Sequence, residues 1–158
     1  MTERDDAQRL IEALNRDYAH TIDDDRLEEW PGLFTADGRY VLTTRENVAR
    51  GLPVGVMTCD SRGMMQDRIL SLRKANVFEP HTYRHLISAV RVTGREDGLW
   101  RAEAAYAVIR TMQEGDMTIF SAGKYLDKVV IENGAAKFKE RVVIADSRRI
   151  DTLVVIPL

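Results

Sequence analysis

Residues 120–146 read Phe120-Ser121-Ala122-Gly123-Lys124-Tyr125-Leu126-Asp127-Lys128-Val129-Val130-Ile131-Glu132-Asn133-Gly134-Ala135-Ala136-Lys137-Phe138-Lys139-Glu140-Arg141-Val142-Val143-Ile144-Ala145-Asp146. Two runs rich in β-branched and aromatic residues flank Asn133-Gly134, the strongest short-range hairpin signal in the chain. Charge fixes the expected register. A three-residue loop, Asn133 to Ala135, with a bulge at the tip sets Val130 opposite Phe138, Lys128 opposite Glu140, Asp127 opposite Arg141 and Leu126 opposite Val142. A plain two-residue turn sets Asp127 against Glu140 and Lys128 against Lys139. Opposed like charges are destabilising, and a favourable cross-strand pair contributes roughly 0.2–1 kcal/mol. The charges therefore favour the three-residue loop.

Working outward, the same pattern extends over the whole second half. Strands are expected at Tyr83 to Thr93, Leu99 to Met112, Met117 to Glu132 and Ala136 to Asp146, with a last run from Thr152 to Ile156. Glu96-Asp97-Gly98 and Glu114-Gly115-Asp116 supply the other turns. Strands this long exceed the usual ~5–6 residues, and long strands twist and coil. A coiled sheet has a concave side, which the helices of the first half are expected to fill.

At 158 residues the chain reads as one domain, 1–158, long enough to bury a core. The 23 basic and 25 acidic residues leave a formal net charge of −2, which argues against nucleic-acid binding. No apolar run approaches the ~20 residues that cross a membrane. The start, Met1-Thr2-Glu3-Arg4-Asp5-Asp6, lacks a signal-peptide layout, and the single cysteine, Cys59, suits a reducing cytoplasm.

A first helix is expected from Asp5 or Asp6 to Thr21, with Leu10, Ile11, Leu14, Tyr18 and Ile22 on one stripe. Asp23-Asp24-Asp25 reads as the cap of a second, short helix carrying Leu27, Trp30, Leu33 and Phe34, disturbed at Pro31. Asp37-Gly38 turns into a strand, Arg39 to Thr43, and Arg45 to Asp60 reads as an irregular loop. A loop of that length is usually functional, an interaction surface, or mobile. Asp60-Ser61 caps a third helix, Arg62 to Ala75, and Phe78 to His81 leads into the first long strand. Helices first and antiparallel strands after make an α+β fold.

Each candidate for chemistry has a plainer explanation. His81 and His85 are spaced i, i+4, but on extended chain four residues span roughly 13 Å. Two ligands of one zinc each sit about 2 Å from it, so a shared metal is not expected. His85 reads instead as a strand residue satisfied by a hydrogen bond. Asp127, Glu140 and Asp146 lie on apolar strands, where a raised carboxyl pKa could serve acid–base work. Cross-strand pairing with Lys128, Arg141 or Arg148-Arg149 explains them as well. Cys59 has no base near it in sequence, and Gly51-x-x-x-Gly55 lacks the Lys-Ser/Thr of a phosphate loop.

Four pieces taken in order carry a resemblance. They are Leu27-x-x-Trp30-x-x-Leu33-Phe34-x-x-Asp37-x-x-Tyr40, then Asp67-Arg68-x-x-x-Leu72-Arg73 leading to Tyr83-Arg84-His85-Leu86-Ile87-Ser88-Ala89-Val90. Next come Phe120-x-x-Gly123-x-Tyr125-x-Asp127 with Phe138-Lys139-x-Arg141-x-Val143 and Asp146, and last Asp151-Thr152-Leu153-x-x-x-Pro157-Leu158. Together they resemble the small (beta) subunit of bacterial aromatic-ring-hydroxylating dioxygenases over nearly the whole chain. One small departure is Ala89, where that family often has Asn.

The resemblance implies a cone-shaped curved sheet packed on N-terminal helices, similar to nuclear transport factor two and scytalone dehydratase. It implies no catalytic, cofactor-binding or metal-binding residue on this chain. A large (alpha) subunit is expected to carry a Rieske [2Fe–2S] cluster and a mononuclear Fe(II), fed with electrons by an NADH-dependent reductase. The expected assembly is an alpha3beta3 hexamer built on a homotrimer of this chain. Polar residues on the outer sheet face and the Arg45 to Asp60 loop, with apolar Val54, Val56 and Met57, are the expected contact surface. The Glu46-Asn47 and Gly51-Leu52-Pro53 region resembles small subunits of enzymes acting on aromatic acids such as terephthalate, anthranilate or benzoate. The alternative is a stand-alone dehydratase or isomerase of the same cone, using His85 with Asp127 or Asp146 as acid and base.

Overall fold

The computed structural model describes residues 1–52, 55–75, 79–149 and 156–158. Most of the expected last strand, together with Val54 and Phe78, lies outside the described residues. The elements run α1 (Glu3–Asp23), a 3-10 helix (Leu27–Leu33), β1 (Phe34–Thr44), α2 (Arg45–Ala49), β2 (Met57–Cys59), α3 (Arg62–Lys74), β3 (His81–Glu96), β4 (Leu99–Met112), β5 (Met117–Glu132) and β6 (Ala135–Ala145). One curved six-stranded sheet, ordered β2-β1-β6-β5-β4-β3, packs its inner face on the helices. Its junctions are antiparallel except β1 with β6, which run parallel.

The helix α1 begins earlier than the acidic residues suggest. Thr2 is the N-cap, and Asp5 bonds back to it in a capping box. A threonine with an acid three residues on outcompetes Asp5 and Asp6 as the start, because it satisfies two free N–H groups at once. The acidic triplet does not cap the second helix: the 3-10 helix starts after Arg26 with no side-chain cap. Asp24 instead closes α1, and Asp25 adopts a left-handed φ of 59° and receives Arg73 at 2.9 Å. The irregular stretch is also more ordered than expected. It holds α2, capped by Thr44, and the short β2 paired to Tyr40 through Leu42.

The β5–β6 hairpin has the expected body and a different tip. Leu126 faces Val142, Asp127 faces Arg141 and Lys128 faces Glu140, but Val129, not Val130, faces Phe138. The loop has two residues, Asn133 and Gly134, at φ 53° and 73°, as a type I′ turn requires. Lys139 is the extra residue, bulged between Phe138 and Glu140, and its ammonium pairs with Asp37. Moving the bulge inward reconciles the preferred tight turn with the favourable charge register.

The edge strand β3 is protected by side chains of α1. Gln8 bonds the Val90 carbonyl (2.7 Å) and the Val92 N–H (2.8 Å), Arg4 bonds the Val92 carbonyl (2.7 Å), and Asp23 accepts the His85 N–H (2.7 Å). These bonds cover backbone groups that would otherwise be open to pairing with another chain. The inner face buries Trp30, Phe34, Tyr40, Tyr125, Val129 and Phe138, each contributing about 1.5–3 kcal/mol by leaving water.

Candidate functional site

Alternation along the strands sends Asp127 and Arg141 to the inner face, side by side on β5 and β6. The Arg141 guanidinium grips Asp127 in a fork, Nε to Oδ1 at 2.9 Å and Nη2 to Oδ2 at 2.8 Å. Nη2 also donates to the Asn15 side-chain oxygen on α1, whose amide is held by the Ile11 carbonyl. The rings of Tyr125, Phe138 and Tyr18 lie 3.8, 4.1 and 4.4 Å from the guanidinium carbon. Both charged side chains are inaccessible to solvent. Burial pushes the Asp127 carboxyl up, and Arg141 pulls back against it. Burial likewise opposes the Arg141 charge, but Asp127 more than restores it and the guanidinium stays above its usual value. A guanidinium keeps its proton, so the cluster is an ion pair that holds the hairpin to α1.

His85 also points inward, and its ring Nδ1 lies 2.7 Å from Asp23 at the end of α1. The other oxygen of Asp23 takes the His85 backbone N–H, so one carboxylate pins strand and side chain together. Tyr18 and Tyr83 box the imidazole edge-on at 6.0 and 6.1 Å between centroids. Its Nε2 is buried and makes no hydrogen bond. An imidazole backed by a carboxylate is the arrangement of a general base, but this one has no solvent-accessible side-chain surface.

The acid–base partners expected for His85 are both elsewhere. Asp127 belongs to Arg141, and Asp146 is exposed and paired with Arg45 at 2.6 Å. Glu140 meets Arg39 and Lys128 on the outer face. The sequence reading missed Asp23 because the acidic triplet looked like a helix cap. The stripe Ile11, Leu14, Tyr18, Ile22 carries the signal, since residue 23 follows directly on that buried face. Asn15, four residues after Ile11, lies on the same buried face and was missed as well. His81 meets the Glu79 carbonyl at 2.9 Å, and both it and His85 lie against the Tyr83 ring. Cys59 is buried on β2, and burial pushes its thiol up, away from a nucleophilic thiolate. Met57, expected on the contact loop, is buried beside it.

Residues 156–158 also enter the interior. Leu158 is buried, and its carbonyl oxygen accepts from the Tyr18 hydroxyl at 2.6 Å and the Tyr40 hydroxyl at 3.2 Å. Burial pushes the Tyr18 phenol up to about 12, so it stays a donor.

The outer face is different in kind. Leu86, Ile109, Ile119 and Met117 gather at one end of β3, β4 and β5, with Met117 and Ile119 67% and 75% exposed. Arg91 and Lys124 flank Glu103 further along, holding its carboxyl below its usual value. An apolar patch rimmed by charge is the character of a protein contact surface.

A cluster cofactor does not fit this chain. A Rieske centre takes two cysteines and two histidines, and the sequence has one cysteine. Among the described residues no three His, Cys, Asp or Glu side chains converge as a metal site. No helix among them is long and apolar enough to cross a membrane.

Comparison with known proteins agrees in one direction. Residues 17–152 match the profile of the family described as ring hydroxylating beta subunit. The small subunit of anthranilate 1,2-dioxygenase from Burkholderia cepacia is 40% identical, over 94% of this chain and 92% of its own. Beta subunit 1 of the terminal oxygenase component of terephthalate 1,2-dioxygenase from a Comamonas species is 38% identical, over 94% and 96%. Among solved structures, a beta subunit assigned to an aromatic-ring-hydroxylating dioxygenase of Novosphingobium aromaticivorans superposes with a TM-score of 0.88. It is 45% identical and covers 96% of this chain and 97% of that one. A protein from the same organism assigned as a scytalone dehydratase shares the fold alone, at 20% identity and a TM-score of 0.70, over 93% and 89%.

Proposed function

The chain belongs to the ring hydroxylating beta subunit family, and from that premise we propose that it is the structural small subunit of an aromatic-ring dioxygenase. It holds large subunits in place and does no chemistry itself. The observation that carries this reading is the match to small subunits along 94% of the chain. Both buried polar clusters support it, because Asp23 fastens His85 to the end of α1 and Asp127 fastens Arg141 across the hairpin. The lyase alternative is not favoured, since His85 meets neither Asp127 nor Asp146.

The Rieske cluster and mononuclear Fe(II) sit on the large subunit in this scheme. Three copies of each chain make an alpha3beta3 hexamer in the cytoplasm, with this chain trimeric. Aromatic acids are the substrate class, because the anthranilate and terephthalate subunits are among the similar proteins. The outer-face patch at Leu86, Met117 and Ile119 is the contact surface, joined by the exposed Val48, Leu52 and Val56.

Co-expression with the cognate large subunit tests the reading. The two chains should elute together, and an aromatic acid should be dihydroxylated only when the large subunit is present. Turnover by this chain alone would overturn it. Met117→Ser with Ile119→Ser should weaken co-elution while leaving the isolated chain as stable as before.

A further inference from the structure

The cover that α1 lays over the β3 edge has a gap. Arg4 and Gln8 fasten the strand at Val90 and Val92, and Asp23 fastens it at the His85 N–H. Between these fastenings a groove of about 450 Å³ opens, with Ala19 on the helix wall and Ile87 and Ala89 on the strand wall. Hydrogen bonds of an antiparallel pair alternate, so every second residue turns its N–H and C=O away from the neighbouring strand. His85 is one of these, because its N–H goes to Asp23 and not to Val108 opposite. Ile87 is the next, still in register with Tyr106 and ahead of the bulge. Since β3 is the last strand of the sheet, the Ile87 N–H and C=O face its open edge, and no other described residue bonds them. The charged groups around the groove are unequally committed. Both oxygens of Asp23 are spent on His85, and Glu12 takes the Gln8 amide at 2.7 Å. Arg16 and Arg84, both exposed, have no carboxylate partner among the described residues.

We propose that this groove is a docking slot for an extended, acidic segment of the large subunit, which adds to β3 as a further strand at Ile87. The inference rests on the reading of this chain as a small subunit. Backbone chemistry sets the class of occupant. An outward N–H and C=O on one residue match the C=O and N–H of one residue in an incoming strand. A free carboxylate or phosphate takes the N–H but is repelled by the carbonyl beside it. The uncommitted cations, Arg84 on the strand and Arg16 on the helix, suit Asp or Glu near the paired residue. Leu86, next to Ile87, is 53% exposed and belongs to the apolar patch with Met117 and Ile119. The slot therefore continues the surface proposed for the same partner.

Hydrogen exchange resolved to single amides tests it, on the full chain alone and in its complex with the cognate large subunit. The Ile87 amide should exchange fast in the isolated chain and at least roughly tenfold more slowly in the complex. Leu86, whose N–H turns toward Ala107 on β4, is the internal standard and should be slow in both. Arg16→Glu with Arg84→Glu should weaken the complex roughly tenfold, by setting like charge against an acidic segment. Both positions are exposed, so the unfolding curve of the isolated variant should match wild type. A complex that forms while Ile87 exchanges as fast as before overturns the slot and leaves the small-subunit reading standing. Absence of any complex overturns both. Protection of Ile87 in the isolated chain that grows with its concentration puts a second copy in the slot and overturns the proposal. Protection in the complex with no loss of affinity in the arginine variant overturns the acidic segment.

Discussion

Two adjacent ion pairs in one hairpin, Asp127 with Arg141 and Lys128 with Glu140, share strands and register and differ only in the face they occupy. The first lies inside, inaccessible to solvent, with two bonds of 2.8 and 2.9 Å and three aromatic rings around it. The second lies outside at 3.8 Å, with both side chains partly in water. Water screens the outer pair, so it sets register and little else. The inner pair has given up hydration, so each partner depends on the other. The same division holds across the sheet. Inside, polar groups are tied down by α1; outside, they are open to a partner.

Breaking the inner pair should have the largest effect. Arg141→Met strands a buried carboxylate and should cost about 3–5 kcal/mol in urea unfolding. Replacing both partners, Asp127→Leu with Arg141→Met, should recover most of that loss. A double variant as unstable as the single would mean that Asn15 and the rings, not the ion pair, set the cost. Next in size is Gly123→Ala. A Cβ there would lie 2.0 Å from the Ile144 carbonyl oxygen, so the backbone of β6 leaves no room for it. Overpacking of this kind should cost about 1–3 kcal/mol, lowering the midpoint of thermal unfolding.

Ala89 should move stability the other way. It sits at φ 53° in a bulge of β3, a conformation that alanine adopts only with strain. Ala89→Gly or Ala89→Asn should stabilise by about 1 kcal/mol, since the left-handed region costs an ordinary side chain roughly 1–2 kcal/mol, measured by the same unfolding curves. Lys128→Gln on the outer face should change stability by no more than about 0.5 kcal/mol. A larger loss would erase the contrast between the two pairs.

Acid titration gives the smallest effect. Lys124 and Arg91 hold the Glu103 carboxyl below its ordinary value of 4.5. A lowered folded pKa contributes stability that is complete above about 4.5 and is lost as pH falls through the lower folded value. The unfolding midpoint should therefore drop with acid below about 4.5, and drop less in Glu103→Gln. Equal drops in the two chains would remove Glu103 from the account.

Much of this was legible in the residues. The Asn133-Gly134 turn, the cross-strand charges and the alternation of β5 and β6 are local signals, and the body of the hairpin follows them. The tip did not, because charge pattern counts how many extra residues are needed but not where the bulge sits. The departure at Ala89 was visible as a residue, yet its backbone conformation was not. Both buried clusters were half legible. Asp127 and Arg141 face each other by register alone, whereas Asn15 and Asp23 arrive from a helix far away in sequence.

By itself, then, the sequence determined periodicity, strand length, turn position and the likeness to ring-hydroxylating small subunits, all of which are written over short spans. Only the tertiary structure decided that Asp23 meets His85 across 62 residues, and that Leu158 enters the cone to meet Tyr18. Those contacts depend on how α1 lands on a curved sheet. That landing is a property of the packed core as a whole, which no local pattern specifies.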